Sequence, residues 1–139
     1  MSNFWRAWLR VWCVAVGAFG ALLAAGAFEA TRGPVVLLYT ILGGAPPMFD
    51  PALAFSVGLM GAVTLGWSLT FYAAFEAAHA LGPQGGRIWR LITISVLAWY
   101  LIDGAISALT GYALNIAPNT ALLIGYLIPL IAGRQRAPA

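Results

Sequence analysis

Asp103 is the acidic side chain that falls well inside an apolar stretch, and it poses the first chemical question. An ionised carboxylate near the middle of a bilayer costs at least about 2.5 kcal/mol, so it must face protein and find donors, or carry a proton. On a helix its same-face neighbours include Trp99 and Ser107, with Gly104 adjacent and Gly111 two turns on. The next apolar stretch offers Asn115, Asn119 and Thr120 near its start and Tyr126 deeper. Counting rise along a helix sets Asp103 about 12 Å below the connection at Gly111–Pro118, between the levels of Asn119 and Tyr126. Asp103, Ser107, Asn115, Asn119 and Tyr126 therefore form a candidate polar intramembrane site. Two chemistries suit it: a carboxylate that handles a proton or binds a cation, or a buried clamp joining two helices. One carboxylate with no second acid or base beside it makes a poor relay, and this favours the clamp.

Glu76 and His79 form a single Glu-x-x-His. Di-iron bundles need that spacing twice, with further glutamates on other helices. With one histidine in the chain, neither that site nor a bis-histidine haem can be assembled, so no metal or cofactor is expected. The ordinary roles are an ion pair from Glu76 to Arg87 or Arg90, and a contact of His79 with its helix C-terminus. Glu29 and Arg32 have the spacing of a weak i,i+3 pair. Glu29 could instead line an outer vestibule with Asp50, Asn115 and Asn119. The lone cysteine, Cys13, excludes an internal disulfide and reads as a packing residue. No nucleophile–base pair, phosphate-cradling glycine loop or metal-ligand set is visible, so no catalytic residue is assigned and the chain is not expected to be an enzyme.

The elements that must position these groups are membrane spans. Apolar residues make up 62% of 139 positions and charged ones 8%, against roughly 25% charged in a soluble domain. A spanning helix needs about 20 apolar residues, so four spans and their connections use nearly the whole chain. The reading is all-α: an integral membrane four-helix transmembrane bundle, one domain over 1–139. Its spans cover about 4–29, 52–78, 88–111 and 116–132, with a short interfacial helix between the first two. That short helix follows from Val35–Leu42, too few residues to cross, with Pro34 at its start and Gly43, Gly44, Pro46 and Pro47 after it. Asp50 suits the N-cap of the second span. Gly17, Gly20, Ala21 and Ala24 repeat at three and four along the first span, a stripe for close helix packing within the chain or across a homodimer.

Arginine placement orients the spans. Arg6 and Arg10 precede the first uncharged apolar stretch, Arg87 and Arg90 lie between the second and third, and Arg134 and Arg136 follow the fourth. Positive charge stays on the cytoplasmic side, which places both termini there. The first span is read as retained: its uncharged run from Val11 to Phe28 is longer than a signal peptide's apolar core of about 7–15 residues. Trp5, Trp8 and Trp12 in front of it suit an interfacial anchor. The tail from Gly133 to Ala139 is expected to be a flexible cytoplasmic stub. The net charge of +3 sits at helix ends rather than in one block, so no nucleic-acid partner is expected.

Phe55-Ser-Val-Gly-Leu-Met-Gly-Ala-Val-Thr-Leu-Gly-Trp67 and Trp99-Tyr-Leu-Ile-Asp-Gly-Ala-Ile-Ser107, followed by Asn115 and Asn119, resemble small uncharacterised four-span inner-membrane proteins of bacteria. The resemblance implies a bacterial inner-membrane address and carries no activity with it. The expected function is that of a non-catalytic accessory or scaffold subunit packing against membrane lipids and larger membrane proteins. The alternative is binding or transport of a small amphipathic molecule or proton through Asp103 and the outer-side polar residues.

Overall fold

The computed structural model describes residues 1–134; of the expected tail Gly133–Ala139, Gly133 and Arg134 belong to the last helix, and the rest, with Arg136, lies outside the described residues. Five α-helices follow in order: α1 (Asn3–Ala25), α2 (Gly33–Gly43), α3 (Pro51–Ala80), α4 (Gly86–Leu109) and α5 (Ile116–Arg134). Short 3-10 turns, Glu29–Thr31, Gly82–Gly85 and Ala113–Asn115, join them, and no strand occurs among the described residues. All but α2 are long and apolar enough to cross a membrane. With 11 residues, α2 reaches only about 16 Å, half the hydrocarbon thickness. The first span ends earlier than expected, at Ala25 rather than Glu29. Its C-terminus is closed there: the Gly26 N–H bonds the Leu22 and Leu23 carbonyls, and Thr31 Oγ1 donates to the Ala25 carbonyl at 2.6 Å. Glu29 consequently sits in a 3-10 turn.

The described residues group into two compact units, Val14–Leu69 and Met1–Cys13 with Thr70 onward. In the first, backbones meet where side chains are missing. A Cβ on Gly20 would lie 2.6 Å from the Leu65 backbone nitrogen, and one on Gly61 would overlap the backbone at Ala24. A Cβ on Gly17 would meet the Ser68 side chain, its Oγ at 2.8 Å, so Gly17, Gly20 and Ala24 are taken up inside the chain, while Ala21 is exposed. Beside this crossing Leu23, Val35 and Val57 form a buried core, flanked by Leu38, Tyr39, Phe49 and Leu53. Pro34 opens α2, and Gly44 closes it at φ 78°, its N–H returning to the Thr40 carbonyl. Asp50 starts α3 by accepting the Leu53 N–H at 2.7 Å.

The second unit is built on aromatic rings and polar contacts. Trp12 meets Phe71, Phe75 and Tyr126 at centroid distances of 5.8, 6.2 and 6.1 Å. Phe75 also stacks on Trp89 at 5.5 Å, and His79 stands edge-on to Trp89 at 5.1 Å. Pro129 lies inside α5 and has no N–H for the carbonyl four residues earlier, that of Gly125. Trp8 Nε1 donates to that carbonyl at 2.8 Å, and Trp12 Nε1 to the Leu122 carbonyl at 2.9 Å. The Trp8 indole thus takes the place of the N–H that Pro129 lacks, while Trp12 adds a second tie from α1 to the backbone of α5 one turn earlier.

Candidate functional site

Asp103 sits on α4 with its Oδ1 at the centre of a hydrogen-bonded group. It accepts from Ser107 Oγ at 3.2 Å, one turn along the same helix. Asn115 Nδ2 donates to the same oxygen at 2.9 Å and also to Ser107 Oγ at 3.0 Å. Asn119 Nδ2 supplies the third donor, from the first turns of α5. Ser107 and Asn119 are buried, whereas Asp103 and Asn115 are half-buried. The second carboxylate oxygen, Oδ2, takes part in none of these bonds.

The local chain explains the convergence. Ser107 follows Asp103 by four residues and shares its face. The connection reverses direction with the Tyr112 N–H bonded to the Ser107 carbonyl and the Asn115 N–H to the Tyr112 carbonyl. That turn brings Asn115 back over the end of α4, and Asn119 follows it by one helical turn. Two further contacts continue down the same pair of helices. Tyr100 Oη and Thr120 Oγ1 share a hydrogen bond at 3.0 Å, and Thr93 Oγ1 and Tyr126 Oη share one at 2.8 Å. The seam between α4 and α5 therefore holds polar contacts at three levels, with fully buried Val96 between the lower two on the α4 side.

Tyr126 is thus not part of the Asp103 group. Its hydroxyl meets Thr93, ten residues before Asp103 on α4, and its ring stacks on Phe75 at 6.1 Å. Asp50 is occupied as the cap of α3, and Glu29 is exposed in its turn. Glu29 and Arg32 make no ion pair: the Arg32 guanidinium lies over the Phe49 ring, 4.9 Å from its centroid.

Glu76 has different partners from those expected. Arg10 donates to both its oxygens, Nε and Nη2 to Oε1 and Nη2 to Oε2, at 3.0–3.1 Å. Arg6 approaches to 3.5 Å. Arg6 and Arg10 lie one turn apart on α1, so both reach one carboxylate, while the turn after α3 sends Arg87 and Arg90 onto an exposed face of α4. His79 Nε2 contacts Met1 Sδ at 3.2 Å. Cys13 is buried with a free thiol. Among the described residues no three His, Cys, Asp or Glu side chains come close enough to hold a metal ion.

Three groups escaped the sequence reading, two of them although signals for them existed. Pro129 implied an orphaned Gly125 carbonyl, and the nearby indoles were the available donors. Thr93 and Tyr100 share a heptad repeat with Ser107, which marks the polar seam. The Arg10 to Glu76 pair had no local signal, because its partners are 66 residues apart.

The composition and the four long apolar helices define a multi-pass membrane protein. Comparison with family models, with curated proteins and with solved structures returns no match for this chain.

Proposed function

We propose that this is a non-catalytic protein of the bacterial inner membrane, with both termini cytoplasmic, acting as an accessory or scaffold subunit for larger membrane proteins and lipids. One observation carries the reading: the two carboxylates that fall within the spans are each engaged with another part of the chain. Asp103 accepts three hydrogen bonds, Glu76 is held by two arginines, and the Trp8 and Trp12 indoles cap backbone carbonyls. Such groups hold helices in place and leave lipid-facing apolar surface as what the protein presents. The arginine distribution supports the orientation, and the resemblance noted for the second to fourth spans supports the bacterial address.

A second reading rests on Oδ2 of Asp103. An oxygen outside the donor group of a half-buried carboxylate is a natural contact for the cationic end of a small amphipathic molecule, or for a proton. Purification of the tagged protein in mild detergent, with analysis of both bound proteins and bound small molecules, separates the two. A stable larger complex is the expected result. An isolated protein carrying a small molecule that is lost in Asp103→Asn would replace the scaffold reading with the second one.

A further inference from the structure

Arg87 and Arg90 stand at the start of α4, both exposed, and among the described residues neither joins an ion pair. The first turn of α4 holds no acidic side chain and its start has no side-chain cap, so their charge is not offset locally. From Arg87 an exposed face continues through Leu91, Ile94, Ala98, Leu101 and Ala105. The steps of four and three keep these residues on one side of the helix. Leu91, Ile94 and Leu101 are 55%, 57% and 66% exposed, while the two alanines make the face shallow. Arg90 to Leu101 covers about 16 Å, close to half of a hydrocarbon core of about 30 Å.

We propose that this face binds an anionic phospholipid, its phosphate held by Arg87 and Arg90 and an acyl chain lying along Leu91, Ile94, Ala98 and Leu101. Charge complementarity selects this occupant: the face is cationic at one end and apolar for one leaflet's depth, the inverse of an acidic headgroup on a hydrocarbon tail. Guanidinium groups match phosphate oxygens with paired donors. A second copy of this chain fits less well. Its Glu76 is ion-paired, its Asp103 accepts three hydrogen bonds and its Asp50 caps a helix, while its exposed Glu29 falls in the first connection, on the side opposite to Arg87 and Arg90 in the proposed orientation. Arg6 and Arg10 are committed to Glu76, so the headgroup's charge is read by Arg87 and Arg90.

Native mass spectrometry of the full chain, exchanged into equal phosphatidylglycerol and phosphatidylcholine of matched acyl chains, tests this. Wild type should retain the anionic lipid preferentially, by roughly fivefold per arginine. Arg87→Gln with Arg90→Gln should abolish the preference, and the double lysine variant should keep most of it. Unfolding in phosphatidylcholine alone should be the same for all three, since no intrachain partner is lost. Equal retention of both lipids by wild type, or a preference unchanged in the double glutamine variant, overturns the proposal. So does crosslinking of Ile94→Cys to a second copy with the lipid excluded.

Discussion

The two units hold their helices by opposite means. In Val14–Leu69 side chains are removed: glycines at 20 and 61 let backbones meet, and dispersion between closely packed atoms supplies the attraction. In the unit containing α4 and α5, polar side chains are added: hydroxyls, amides and a carboxylate bond across the helices, and an indole satisfies the carbonyl left open by a proline. Lipid tails are as apolar as leucine, so neither unit gains from hydrophobic burial between helices as a soluble core does. The difference teaches how each should fail. A glycine crossing fails through steric overlap, sharply and at one position. A polar seam loses its contacts one at a time and in modest steps.

The largest effect is expected at Gly61. A Cβ there overlaps backbone atoms that no rotamer change can move, so Gly61→Val should cost about 3 kcal/mol or more in reversible unfolding in mixed micelles. Gly66→Val is the matched control on the same helix, since its Cβ meets nothing within 4 Å, and it should change little. Equal effects of the two would break the comparison.

The proline in α5 sharpens the other side. Trp8→Phe leaves the Gly125 carbonyl without its indole donor and should cost about 1–2 kcal/mol. Pro129→Ala restores a backbone N–H to that carbonyl, so Trp8→Phe should cost less in its presence. A double-mutant cycle measures this coupling directly. Strict additivity of the two changes would show that the indole does not serve the proline's orphaned carbonyl.

The smallest step is Thr93→Val, which removes one hydroxyl contact with Tyr126. Interhelical hydrogen bonds in membranes average about 0.6 kcal/mol, and a loss of that order is expected from the same unfolding measurement. A cost as large as that of Gly61→Val would make the seam as brittle as the crossing.

Much of this architecture was legible because it follows from local rules. Spans are read from apolar length, and α2 from Pro34 and the glycines and prolines after it. Asp103, Ser107, Asn115 and Asn119 could be grouped because helical spacing and one short turn connect them. Tyr126 was rightly set deeper than Asp103 but was grouped with it, because rise alone does not show that Thr93 is the partner of its hydroxyl. Glu76 was paired with the nearest arginines in sequence, whereas Arg10 reaches it from a helix 66 residues away. The first helix was extended to Glu29 because charge marks a membrane boundary, while Thr31 ends the helix at Ala25.

The central claim is that the polar groups inside the spans serve architecture, and Asp103 tests it most directly. Reversible unfolding of Asp103→Asn and Asp103→Leu in the same detergent is the measurement. An asparagine keeps an oxygen that can accept from Ser107, Asn115 and Asn119, so its stability should stay near wild type. Leucine leaves those three donors without their shared acceptor and should cost roughly 1–3 kcal/mol. A fully folded Asp103→Leu protein with unchanged unfolding would contradict the clamp and make the carboxylate's charge, rather than its hydrogen bonds, the reason it is there.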